Sequence, residues 1–396
     1  MKFNKWTVGL AAIGVVSLAS AARADEKMSQ VQTALSNTTL SGYVDTSVMW
    51  NTGSQNGASS GGPAGQLPPY TPGLAKGDGF NLNAVDLTLD KPLDESPWAA
   101  GYHIDLMLGQ DRVGTGNGIR QAYVALRTPV GNSGIDWKMG VWDSPLGYES
   151  SSDPLNPNFT RSYGYQFEPT TFTGLLGTFK ANDIISFSAG VANSYGSVGS
   201  GGGNALNGGF GAAGTYESQK AYVGLVTLTA PDSAGWMKGA TFSAGALISD
   251  AGSSPNGAGV TRLYAGAVVP TPATALKVGM AFDYSDFHNG ASKSANKADD
   301  SLWVAGLYAN FQANDKLSFN VRGEFVDLQD VNGHTGEELT GTVSYQLWAN
   351  VLSRVEVRWD HAGVQAYDNS YLPGGALNGP LHRNEILVAL NLIYQF

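Results

Sequence analysis

The sequence predicts an all-β fold: a transmembrane antiparallel β-barrel of about 16 strands, with short periplasmic turns and long extracellular loops. Three observations predict it. Apolar and polar residues alternate through segments of about 9–14 residues, the period of a strand with one face in a greasy medium. The connections between those segments alternate between long and short. An export signal precedes the segments, and the last of them ends on an aromatic residue.

Composition removes the competing classes. The 396 residues include 52 Gly and no Cys, with 14% charged and 42% hydrophobic residues. Disordered chains carry more charge and fewer aromatics, and coiled coils are rich in Glu, Lys and Leu. Beyond the first twenty positions no apolar run reaches the roughly 18 residues that a spanning helix needs. A zinc-cluster, iron–sulfur or disulfide scaffold has no cysteine to build on.

Residues 1–24 read as a signal peptide. Lys2 and Lys5 form its basic start, Trp6 to Ala19 its apolar stretch, and Ala22-Arg23-Ala24 a small-x-small cleavage site. Losing Lys2, Lys5 and Arg23 would take the net charge from −10 to −13, unsuited to general nucleic-acid binding. Residues 25–38 form a short N-terminal periplasmic segment, and the barrel occupies 39–396.

The strand segments are 39–51, 80–91, 98–109, 118–129, 134–142, 169–181, 184–194, 218–231, 237–249, 259–270, 273–286, 301–313, 315–328, 336–349, 351–362 and 384–396. Their faces are clearest where charge is dense. Val351, Ser353, Val355, Val357 and Trp359 alternate with Leu352, Arg354, Glu356, Arg358 and Asp360, as suits lipid on one side and water on the other. Segments 118–129 and 169–181 mix both kinds on both faces.

Long connections at 52–79, 110–117, 143–168, 195–217, 250–258, 287–300, 329–335 and 363–383 alternate with short ones such as 128–132, 181–183, 269–272 and 312–315. A soluble sandwich has no reason to keep that parity. With an even strand count, both ends lie on the short-turn, periplasmic side. The last strand places Val388, Leu390, Leu392, Tyr394 and Phe396 on one face. Tyr394 and Phe396 are the candidate signal for the barrel-assembly machinery, the alternative being an ordinary hydrophobic terminal strand. Trp50, Trp98, Trp137, Trp142, Trp236, Trp303, Trp348 and Trp359 fall near segment ends, as interfacial girdles require.

Several stretches resemble the OmpL-like β-barrel porins, also called porin-2: Phe80 to Asn83, Leu89 to Asp94, Tyr123 to Asn132, Gly134 to Gly140 with Gly147 to Glu149, Arg161 to Gly164, and Glu168 to Gly174. The match is close over about a third of the chain and elsewhere extends only to the barrel pattern. The resemblance implies an outer-membrane channel and names no solute.

A channel of this strand number encloses water. The third long connection, 143–168, is expected to fold into the lumen. Its acidic residues Asp143, Glu149, Asp153 and Glu168 would then face Arg322, Arg354 and Arg358 across a constriction, since strands 13 and 15 lie half a circumference away. Such opposed charge selects ions and orients dipolar solutes. The alternative is that these charges are solvated lumen residues paired locally, Arg322 with Glu324 and Arg354 or Arg358 with Glu356. Asp86, His103, Asp105, Asp136, Lys138, Arg262 and Lys277 read as general lumen polarity. Tyr148, Phe159, Tyr163, Tyr165 and Phe167 are candidates for an aromatic sugar slide.

Enzymatic chemistry has little to stand on. His103, His288, His334, His361 and His382 lack metal-ligand spacing, no Gly-x-Ser-x-Gly elbow occurs, and Gly114 to Gly118 is not framed by a strand and a helix. A barrel hydrolase using Ser and His stays open from sequence alone. No catalytic residue, metal or cofactor is assigned. The expected function is passive diffusion of small hydrophilic solutes or ions through the outer membrane of a Gram-negative-type cell. The alternative is a structural or partner-binding barrel with a closed lumen. Expected partners are outer-membrane lipid, the assembly machinery and the solutes, with a homotrimer by analogy with sixteen-stranded porins alone.

Overall fold

The computed structural model describes residues 37–51, 76, 78–113, 118–131, 133–193, 220–249, 259–288, 300–328, 334–363, 367–368 and 381–396. The expected signal peptide, residues 25–36, Gly114 to Asn117, and the glycine- and serine-rich stretches at 52–65 and 196–214 lie outside these residues. So do the side chains of His288, His334 and His382.

The barrel strands are β1 (Thr39–Asn51), β2 (Gly79–Lys91), β3 (Ala99–Leu108), β4 (Ile119–Thr128), β5 (Ile135–Asp143), β6 (Thr171–Lys180), β7 (Ile185–Ala192), β8 (Ala221–Thr229), β9 (Thr241–Ser249), β10 (Gly259–Pro270), β11 (Leu276–His288), β12 (Asp300–Gln312), β13 (Leu317–Leu328), β14 (His334–Trp348) and β15 (Val351–Ala362). A two-residue hairpin, β16 (Tyr367–Asp368) with β17 (Leu381–His382), precedes the last barrel strand, β18 (Asn384–Gln395). Each barrel strand pairs antiparallel with its neighbours, and β18 closes the ring on β1. In a bilayer only a closed sheet satisfies every strand's backbone groups, so ring closure is what lets these strands cross. No helix among the described residues is long and apolar enough to do so.

The alternation read from sequence becomes two chemically distinct surfaces. Val355 and Val357 are half exposed on the outside of β15, while Arg354, Glu356, Arg358 and Asp360 between them are buried on the inside. β18 repeats the pattern, with Val388, Leu390, Leu392 and Tyr394 outward and Leu387, Ala389, Asn391 and Ile393 inward.

Segment 118–129 is ambiguous in sequence because β4 is bulged. Asp105 pairs with Gln121 but Leu106 with Ile119, leaving Arg120 as an extra residue. Arg120 and Gln121 are consequently both buried inside. A bulge re-aims one side chain, and here it delivers a guanidinium into the lumen. Segment 169–181 is ambiguous for another reason: the inward face of β6 carries Phe172 and Leu176, and the lumen wall there is apolar.

Trp50, Trp98, Trp236 and Trp348 are well exposed near strand ends or in turns. Trp142 is not a girdle residue. It is fully buried and packs on Phe172, ring centroids 5.0 Å apart.

Candidate functional site

The connection between β5 and β6, here L3 (144–170), starts and ends on one hydrogen bond, from Ser144 N–H to the Thr170 carbonyl (2.8 Å). Pro145, Pro154 and Pro157 restrict its backbone. Asn156 staples its turn: its Oδ1 accepts from Ser150 N (2.8 Å), and its amide donates to the carbonyls of Ser150 (2.7 Å) and Ser152 (2.9 Å). Ser162 caps the short helix α1 (Tyr163–Phe167) by accepting from Tyr165 N (2.9 Å).

L3 is held at two places of opposite chemistry. Near its origin Leu146 joins Trp142, Phe172, Leu176, Val223, Leu247 and Tyr264 in an apolar cluster on the inner wall of β5–β10. Further along, the loop reaches the far wall. Glu356 accepts from the backbone N–H groups of Phe159 (2.6 Å) and Thr160 (2.9 Å), and Glu324 from those of Tyr163 (2.5 Å) and Gly164 (3.3 Å). The Tyr163 hydroxyl donates to Asp360 (2.7 Å). Arg322 donates to Glu149 (2.7 Å) and to the Thr160 carbonyl (2.8 Å), Arg358 to the Arg161 carbonyl (2.6 Å), and Arg354 to the carbonyls of Asp153 (3.0 Å) and Asn156 (2.6 Å). A loop has many backbone groups that secondary structure does not satisfy; this wall supplies carboxylates for its N–H groups and guanidiniums for its carbonyls.

The four acidic candidates do not act as one ring. Glu149 accepts from Arg322 (2.7 Å) as a buried pair. Asp153 pairs with Arg161 of its own loop (2.5 Å). Asp143 stays on the near wall, accepting from Arg120 (2.8 Å), which also pairs with Asp105. Glu168 accepts from Tyr148 N (3.1 Å) and faces Asp283 and Tyr264 rather than the arginines. Nor do the arginines form one open wall: Arg322 and Arg358 are 0% exposed beneath L3, and Arg354 is 2% exposed at the edge of a cavity below the loop. The simple local pairing fails too, because Glu356 is spent on loop amides and Arg322 bonds Glu338 (2.6 Å) more closely than Glu324 (4.0 Å).

Sequence reasoning missed Arg120, Glu338 and the loop-binding roles of Glu324 and Glu356. The alternation of acid with base on the inward faces of β13 and β15 was the available signal, but it does not say what the charges hold. The aromatic slide is corrected as well. Phe159, Tyr163, Tyr165 and Phe167 are buried packing residues, and of the five only Tyr148 is partly accessible, stacked on Tyr308 at 4.0 Å. Lys76, ion-paired with Asp111 (2.6 Å), lies over the Phe159 ring of the loop, 4.4 Å from its centroid.

Burial, and next the neighbouring Asp283 carboxyl, push Glu168 well above the ordinary carboxylate range, against the opposing hydrogen bond from Tyr148. A carboxyl whose folded value is raised contributes stability that is complete below its unfolded value and lost as pH rises through the folded one. L3 docking should therefore weaken as pH climbs from about 4.5. Glu168→Gln should flatten that decline, because the amide stays neutral and keeps an acceptor for Tyr148. Protease cleavage within L3, followed against pH, checks this; an equally steep pH dependence in the variant contradicts it.

A closed sixteen-stranded barrel with a lipid-facing outer surface and a loop bound across its lumen is the architecture of an outer-membrane porin. The model of the family described as "Putative beta-barrel porin-2, OmpL-like" matches residues 37–396, and the chain belongs to that family. It is an outer-membrane diffusion channel, and the family points to a channel rather than an enzyme. Among solved structures, the anion-selective porin from Comamonas acidovorans is similar with TM-score 0.57 and 13% identity, covering 91% of this chain and 99% of that one. OprB of Pseudomonas putida follows with TM-score 0.56, 11% identity and coverage of 93% and 97%. OmpT of Vibrio cholerae in its trimer form has TM-score 0.55, 9% identity and coverage of 91% and 99%. At such identities the likeness is one of fold. No curated protein matches the sequence.

Proposed function

We propose that L3 sets the narrowest cross-section of a passive diffusion channel for small hydrophilic solutes, and that the barrel has no catalytic role. The observation that carries this reading is the loop's attachment to the wall opposite its origin, through Glu356, Glu324, Arg322, Arg354 and Arg358. Tethered there, L3 divides the lumen and leaves the water path beside it. Glu149, Asp153 and Glu168 shape the path mainly by fixing the loop, while Asp143 pairs with Arg120 on the near wall. A homotrimer is part of the proposal and is supported by the trimer form of the V. cholerae neighbour. Purified protein in planar bilayers should give stepwise currents of open-pore size. Silent bilayers containing inserted, heat-modifiable protein would instead favour the closed, partner-binding barrel.

A further inference from the structure

Between the periplasmic side of L3 and the inner wall of β10–β15 lies a chamber of about 460 Å³. Its charge is unlike that of the chain. The protein carries 33 acidic against 23 basic residues, yet among the described residues lining the chamber none is Asp or Glu and two are basic, Lys277 and Arg354.

Neither cation is neutralised at close range. Lys277 is exposed near the periplasmic end of β11 and has no ion pair within 4.0 Å among the described residues. Arg354 is nearly fully buried and spends its strong hydrogen bonds on the loop carbonyls of Asp153 and Asn156. Its Nε has no hydrogen-bond partner. Asp45, Asp153 and Glu356 attract the guanidinium only from beyond ion-pair distance, and each is engaged elsewhere: Asp45 by Asn83 and Asn391, Asp153 by Arg161, and Glu356 by the loop amides.

The remaining polar lining is neutral and suited to hydroxyl groups, with Asn310, Asn320, Ser318 and Ser344 on one wall. Asn320 and Ser344 also bond to each other (3.1 Å) and brace Pro157 of the loop, so their positions are fixed. The stacked Tyr148 and Tyr308 close the side nearest L3. A concave site of this size with a few fixed polar groups is of ligand-binding dimensions.

We infer that this chamber is an anion site on the diffusion path, and that it favours small organic anions bearing a carboxylate and hydroxyl groups. The inference rests on the channel reading above and specifies its solute class. Lys277 acts as an accessible point charge that attracts the carboxylate from the periplasmic mouth, and Arg354 supplies positive potential at the chamber's inner end. The hydroxyls exchange water for the Asn and Ser side chains. No covalent step is involved.

The test is reversal potential in a potassium chloride gradient, with purified wild type, Lys277→Gln and Lys277→Arg in planar bilayers. Wild type should prefer chloride. Lys277→Gln should lower the chloride-to-potassium permeability ratio about threefold, and Lys277→Arg should keep it. Potassium gluconate added on the periplasmic side should reduce wild-type chloride current more than glucose at equal concentration, and this difference should shrink in Lys277→Gln. Currents whose selectivity is unchanged by Lys277→Gln, or equal block by gluconate and glucose, would overturn the anion site and leave the channel reading standing. Absence of any currents would overturn the channel reading itself.

Discussion

Arg322→Ala should release L3 from the far wall and raise single-channel conductance on the order of twofold, because the narrowest cross-section dominates the resistance of a path in series. Arg322 is the centre of the seam. Its guanidinium bonds Glu338 (2.6 Å) on the wall and Glu149 (2.7 Å), the Thr160 carbonyl (2.8 Å) and the Arg161 carbonyl (3.2 Å) on the loop. Removing it leaves Glu149 buried without its cation and Glu338 with only the more distant Arg358 (3.8 Å), and breaking a buried pair from one side costs roughly 3–5 kcal/mol. That cost is concentrated on the loop, since the barrel's ladder hydrogen bonds are untouched. The variant should keep its heat-modifiable band while L3 becomes open to protease. Arg322→Lys should fall between, holding the charge but losing the planar fork that reaches both sides. Wild-type conductance together with a protease-resistant loop in Arg322→Ala would show that the charged seam does not hold L3.

The fold was legible in the sequence because a bilayer imposes one rule on every strand, and the loops report the ends. In β15 and β18 an apolar residue at every second position is enough to orient the strand. The pattern faded where the lumen departed from being a polar surface. β4 has a bulge at Arg120, which breaks the period of two, and β6 turns Phe172 and Leu176 inward against L3. The same departures explain what was missed at the site. Asp143 meets Arg120 because a one-residue bulge in β4 turns Arg120 inward beside it, which no propensity encodes. Glu356 as an acceptor for loop amides joins groups 197 and 196 residues apart in the chain, a pairing seen only once Phe159 and Thr160 are placed beside it. Residue types announced a charged lumen; the partners follow from tertiary placement.

Deleting Phe396 should remove most folded protein from the outer membrane, by weakening both barrel closure and the proposed assembly signal. Phe396 and Gly42 exchange backbone hydrogen bonds, Gly42 N–H to the Phe396 carbonyl (3.1 Å) and Phe396 N–H to the Gly42 carbonyl (3.0 Å), where β18 meets β1. Without them the seam ends in unsatisfied groups at the membrane boundary, where each costs several kcal/mol if water cannot reach it. Glycine is required opposite: a Cβ on Gly42 would sit 2.1 Å from the Asp86 carbonyl oxygen and 2.8 Å from the Phe396 ring. Two further variants separate closure from signal. Phe396→Ala keeps both backbone bonds and removes the ring, so it should refold in detergent yet assemble poorly in cells. Gly42→Ala keeps the terminal aromatic and strains the seam, so it should lose stability in both settings. Outer-membrane abundance and the heat-modifiable band are the measurements. If the deletion assembles normally in cells, Phe396 is neither signal nor clasp, and the barrel closes on the remaining β1–β18 ladder alone.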